Sequence, residues 1–193
     1  MSPILESIGS VKGFGWGAFS LSPSFESIAT TTWTGGTYAP IVFSSIPSTF
    51  RHLQVRYILR DVGASGFSNG GIAFSSSSGV NTSSHILKGD GASATSAADS
   101  GNSYFAYGLL GAMNSTGAGT FATGIIDILD YTDTNKNKTM RILAGGDANG
   151  SGTIQLTSGL TASTTAISSI TFYTPSNGWA NNTQFALYGI KGA

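Results

Sequence analysis

No stretch of this chain repeats apolar residues at i, i+3, i+4 and i+7 over three turns, and 27 of its 193 residues are glycine. Glycine loses the most backbone freedom in a helix, and the many serines and threonines compete for backbone hydrogen bonds. The helical route is therefore closed almost everywhere. What recurs is alternation with period two, the pattern of strands that bury one face. A chain of this kind has to build its core from sheets.

The clearest run is "RHLQVRYILR" at 51–60. Leu53, Val55, Tyr57 and Leu59 share one face, and His52, Gln54, Arg56 and Arg60 the other. In "AISSITFY" (166–173) the same reading turns Ile170 and Phe172 inward. "GIIDILDY" (124–131) and "KTMRILAG" (138–145) read as neighbours joined by the polar turn "TDTNKN". Weaker strands fall in "SFESIATTTW", "APIVFSS", "GGIAFSS", "SSHILKG", "SYFAYGLLGAM" and "GTIQLTS", while "GDGASATSAADSGNS" (89–103) reads as a long loop. The segment "FALYGIKGA" places Phe185 and Leu187 inward in a strand flanked on both sides, so its removal is expected to unfold the domain. Gly189 and Gly192 there would allow another chain to approach closely. Together these runs predict an all-β fold over 25–193, a jelly-roll-like antiparallel β-sandwich of roughly ten strands.

Residues 1–24 differ in kind. "GSVKGFGWGAF" alternates glycine with Phe14, Trp16 and Phe19, and Pro23 marks the join to the body. Glycine-rich backbone holds a strand poorly, and exposed rings on it invite association. The expectation is an extended N-terminal arm that docks on a partner through Phe14, Trp16 and Phe19. The alternative is a strand folded back over its own domain.

Charge narrows the partners. Only 9% of residues are charged, Lys plus Arg and Asp plus Glu each total 9, and the net charge is zero. No basic excess exists to neutralise phosphates, so neither nucleic acid nor an anionic membrane is expected as a partner. No run of 18 apolar residues occurs, so no membrane insertion is expected, and "MSPILESIG" does not read as an export signal. Without cysteine there is neither a disulfide nor a thiolate metal site. A nearly uncharged surface separates copies weakly, which suits a subunit built to assemble.

The residues offer little reactive chemistry. His52 and His85 have no nucleophile oriented by their surroundings, and no nucleophile-elbow motif occurs. Asp127 and Asp130, three apart on a strand, face opposite sides and cannot form a carboxylate pair. The expected arrangement pairs one of them with Arg141 across strands, while the other ends its strand. Asp133, Asn135, Asp147 and Asn149 read as turn formers, with no calcium-loop spacing. No catalytic residue, metal or cofactor is expected. Rings in polar surroundings are expected chiefly to pack in the core or between subunits, and they are also the candidates for ligand contact: Trp179 in "TPSNGWANNT", Tyr104 and Tyr107, with Trp33 and Tyr38 behind them.

The ordered set "FESIAT", "SSIPSTFRHLQVR", "DILDYTDTNK" and "ALYGIKG", with the leader "GSVKGFGWG", resembles small structural proteins of tailed bacteriophages, including marine and cyanobacterial ones. The likeness spans most of residues 8–193. It implies a non-enzymatic virion protein on the outer surface of the particle, as fibre, tail appendage or capsid decoration. Its implied partners are copies of itself, in threes by analogy with phage fibres, and other virion proteins. Beside what the resemblance implies, the Trp and Tyr rings leave a second reading open, a tip domain that recognises a host receptor or a host-surface glycan.

Overall fold

A computed structural model describes residues 24–192 apart from 65, 78, 80, 176 and 177. The expected docking residues Phe14, Trp16 and Phe19 lie outside the described residues. The strands are β1 (Phe25–Thr32), β2 (Ile41–Phe43), β3 (His52–Leu59), β4 (Phe67–Phe74), β5 (Thr82–Gly89), β6 (Ala94–Asn102), β7 (Phe105–Ala112), β8 (Ala122–Leu129), β9 (Lys138–Asp147), β10 (Gly152–Thr161), β11 (Ile170–Tyr173) and β12 (Gln184–Ile190). The all-β expectation holds, with twelve strands among the described residues.

Two antiparallel sheets result, one ordered β1-β12-β3-β8-β9-β10-β5-β6 and the other β2-β11-β4-β7. The pairings are nested: β1 with β12, β2 with β11, β3 with β8 and β4 with β7. That is the wrapped order of an eight-strand jelly roll. Two hairpins are inserted into it, β5–β6 between β4 and β7, and β9–β10 between β8 and β11. Both insertions lengthen the larger sheet on one side. The β9–β10 turn uses Asn149 and Gly150, whose φ values of 56° and 116° suit the mirror-image turns that close two-residue hairpins.

Alternation fills the space between the sheets as expected. Leu53, Val55, Leu59, Ile170, Phe172, Phe185 and Leu187 are buried. Phe185 is a hub: it stacks on Phe172 with ring centroids 4.5 Å apart and meets Tyr57 at 5.6 Å and the Trp179 edge at 5.5 Å. Tyr57 also ties the layers together, because its Oη accepts the amide of Leu110 at 3.0 Å. Its ring lies over Gly124, where an added Cβ would come within 2.5 Å of it.

Four expectations need correction. Residues 94–102 form edge strand β6, exposed along most of its length, rather than part of a loop. Residues 166–169 precede β11 instead of belonging to it. Arg60 does not join the polar face of β3; the strand has ended and its guanidinium turns inward. There it donates to the carbonyls of Gly117 and Thr120 at 2.7 and 2.9 Å and to Asn114 Oδ1 at 3.2 Å, fastening the β7–β8 connection. Finally, the space over Gly189 and Gly192 is taken by this chain itself: a Cβ there would strike the Phe50 ring and the Arg51 stem.

Candidate binding site

The outer face of the four-stranded sheet is floored by small residues. Phe172, Ile72 and Phe74 point inward, so alternation directs Thr171 and Tyr173 on β11 and Gly71 and Ala73 on β4 outward. Tyr104, in the link between β6 and β7, arches over the same face. Its backbone is clamped by Thr82, whose hydroxyl donates to the carbonyls of Asn102 and Tyr104 at 3.0 and 2.7 Å.

Tyr104 and Tyr173 meet with ring centroids 6.1 Å apart and planes tilted by 59°. Gly71 makes this approach feasible: a Cβ there would lie 3.0 Å from one ring and 3.3 Å from the other. The two rings, Asn69, Ala106 and Pro175 enclose a hollow of about 450 Å³. Asn69 borders it as a residue, while its Oδ1 is buried away from water and has no hydrogen-bond partner among the described residues. Tyr173 also borders a second hollow of about 360 Å³, toward Ala73, Ser103 and Thr171. Among the described residues, neither hollow is lined by a charged side chain.

The other candidate rings are placed differently. Trp179 takes the packing role rather than that of a ligand-contacting ring: it is 3% exposed and donates its indole N–H to the carbonyl of Ala39 at 2.8 Å. It is a core residue that closes one end of the sandwich. Tyr107 is half-buried on β7 and does not border the Tyr104 hollow. Trp33 packs against the core, and Tyr38 is exposed. Tyr173, Asn69 and Gly71 were not anticipated. Only Tyr173 had a signal in the sequence, since Phe172 inward requires Tyr173 outward.

A charged cluster lies at the end of β8. Asp127 accepts from Arg141 at 3.0 Å on the neighbouring strand, and Asp130, with φ at 46°, turns the chain out of the strand. Both carboxylates therefore take the positions expected of them. Asp130 receives Lys136 at 2.6 Å and Arg51 at 2.9 Å, and these cations hold its carboxyl near 2 rather than its ordinary 3.8. His52 Nδ1 accepts the amide of Asp130 at 3.0 Å, so that nitrogen serves the backbone rather than a substrate. Lys138 is buried, with its ammonium donating to the carbonyls of Asp133, Lys136 and Thr164, which closes the 130–137 loop. Asp133 and Asp147 each accept the amide two residues on, at 2.8 and 2.7 Å, as turn formers do. Among the described residues no three His, Asp or Glu side chains converge as a metal site.

The Asp130 cluster sets an acid limit on the fold. A carboxyl with a lowered pKa stabilises the fold above its unfolded value, and that contribution disappears as pH falls through the folded value. Stability should therefore drop more steeply between about pH 4 and pH 2 in the parent than in Asp130→Asn, as measured by urea unfolding across that window.

Set against known proteins, the chain matches no family model, no curated protein and no solved structure.

Proposed function

We propose that this chain is a non-enzymatic structural protein of a bacteriophage particle, displayed on its outer surface as fibre, tail appendage or capsid decoration, and assembling with copies of itself. The observation that carries the assembly reading is a row of apolar side chains on the outer face of the larger sheet. Ile125, Leu143, Leu156 and Leu87 are direct cross-strand partners on β8, β9, β10 and β5, and each is between 40% and 56% exposed. Ile154 stands beside them at 60%. A contiguous apolar patch is a surface that association removes from water, and a net charge of zero offers no long-range repulsion between copies. Residues 1–24 join the body at Phe25, which stacks on Tyr188 at 4.8 Å beneath the Arg56 guanidinium, on that same face. In this reading Phe14, Trp16 and Phe19 dock on a neighbouring copy or another virion protein, and the three-fold stoichiometry is an analogy with phage fibres.

Light scattering on the full chain tests the assembly. The parent should be an oligomer, and Leu143→Lys with Leu156→Lys should be a folded monomer. The chain lacking residues 1–20 should fold yet be missing from purified particles by mass spectrometry. A parent that is monomeric at high concentration, or a truncated chain that is incorporated normally, overturns the reading.

A second role, attachment to a host surface, is favoured by the tyrosine-lined hollow on the opposite sheet.

A further inference from the structure

We infer that the hollow between Tyr104 and Tyr173 binds a neutral oligosaccharide. This deepens the attachment reading and is independent of the assembly reading, because the hollow opens on the smaller sheet, away from the apolar row.

The ligand class follows from what the hollow presents. Two tyrosine rings tilted by 59°, Tyr104 exposed and Tyr173 half-buried, offer flat apolar area with little side-chain freedom to lose. A pyranose ring matches such a surface: its C–H faces are apolar and its rim carries hydroxyls. A sugar hydroxyl both donates and accepts, so it can pair with the hydroxyls of Tyr104 and Thr174 that border the hollow.

Charge decides against other ligands. Among the described residues no acidic or basic side chain lines either hollow, so a phosphate, a uronic acid or a peptide terminus would enter without compensation. The volume of about 450 Å³ accommodates more than a single water-sized group. Tyr173 is shared with the adjoining hollow of about 360 Å³, so the surface continues past one ring and suits a chain of sugars better than a monosaccharide. The floor of Gly71, Ala73 and Ala106 keeps the trough open, and Thr82 fixes the backbone from which Tyr104 projects.

Backbone amide NMR on the full chain supplies the test, with pentasaccharides of α-linked glucose, β-linked glucose and β-linked mannose as probes and a galacturonic acid pentamer as the charged control. At least one neutral pentamer should bind in the millimolar range or tighter, shifting the amides of Asn69, Gly71, Tyr104 and Thr174, while the charged one leaves them unmoved. Tyr104→Ala, an exposed ring whose loss spares the core, should weaken binding roughly tenfold. Tyr38→Ala, an exposed tyrosine elsewhere, should not change it. The inference is overturned if no neutral pentamer shifts these amides, if the shifts cluster elsewhere, or if Tyr104→Ala binds as the parent does. Adsorption of the protein to cells, competed with the same pentamer, tests attachment separately: saccharide binding without adsorption removes only the attachment reading.

Discussion

Leu187→Asp yields no folded protein. Leu187 is fully buried on β12, between Ala29 of β1 and Val55 of β3. Aspartate there removes a leucine from the core, about 2–5 kcal/mol, and also buries a carboxylate with no partner. The combined cost equals or exceeds the roughly 5–15 kcal/mol that keeps a domain folded. Near-UV circular dichroism should show neither tertiary signal nor a cooperative melt. Leu187→Ala, which lacks the charge, should still melt cooperatively at lower temperature. Leu143→Asp on the outer face should leave the monomer's unfolding free energy nearly unchanged, since that side chain is already 53% exposed. A Leu187→Asp protein with a native melt would mean that β12 does not sit between β1 and β3.

Gly124→Ala carries the second-largest cost, and one methyl group causes it. The new Cβ would lie 2.5 Å from Tyr57 Cζ and Oη, and the ring is enclosed, with Phe185 on one side. To make room, Tyr57 has to leave the Leu110 amide, which stays behind in a dry interior. Overpacking contributes about 1–3 kcal/mol and the stranded amide about 1–3 more. Urea unfolding should show a loss of that combined size. Tyr57→Val removes the obstacle, so Gly124→Ala introduced into that background should cost far less than in the parent. Additive effects would disprove the contact.

These predictions rest on residues whose roles were largely legible in the sequence. Strand β3 announces its two faces, and β12 its buried Phe185 and Leu187, because each is covered on one side and selection for burial leaves alternation behind. That one of Asp127 and Asp130 pairs with Arg141 followed from two adjacent strands and one turn, and the structure gives the pair to Asp127. Strand β6 left no such trace: "ATSAADSGN" lies at a sheet edge, open to water along most of its length, so nothing imposes a pattern on it. Arg60 misled because alternation was extended one residue past the end of a strand. Trp179 takes the packing role favoured for such rings rather than ligand contact, although its surroundings in the sequence are polar. The hollow was half legible. Tyr104 was marked by its polar surroundings and Tyr173 was implied by alternation, but Asn69 and Gly71 arrive from β4 through strand order, which local sequence does not encode.

The nesting of strands also has a consequence for synthesis. Phe25 and Ile190 are partners across one ladder, so the first strand of the body leaves the ribosome long before its mate exists. Closing such distant ladders is slow, and until residue 190 clears the exit tunnel the edge of β3 that β12 will occupy is bare. This body is therefore expected to stay incomplete, and to depend on chaperones, until residue 190 has emerged.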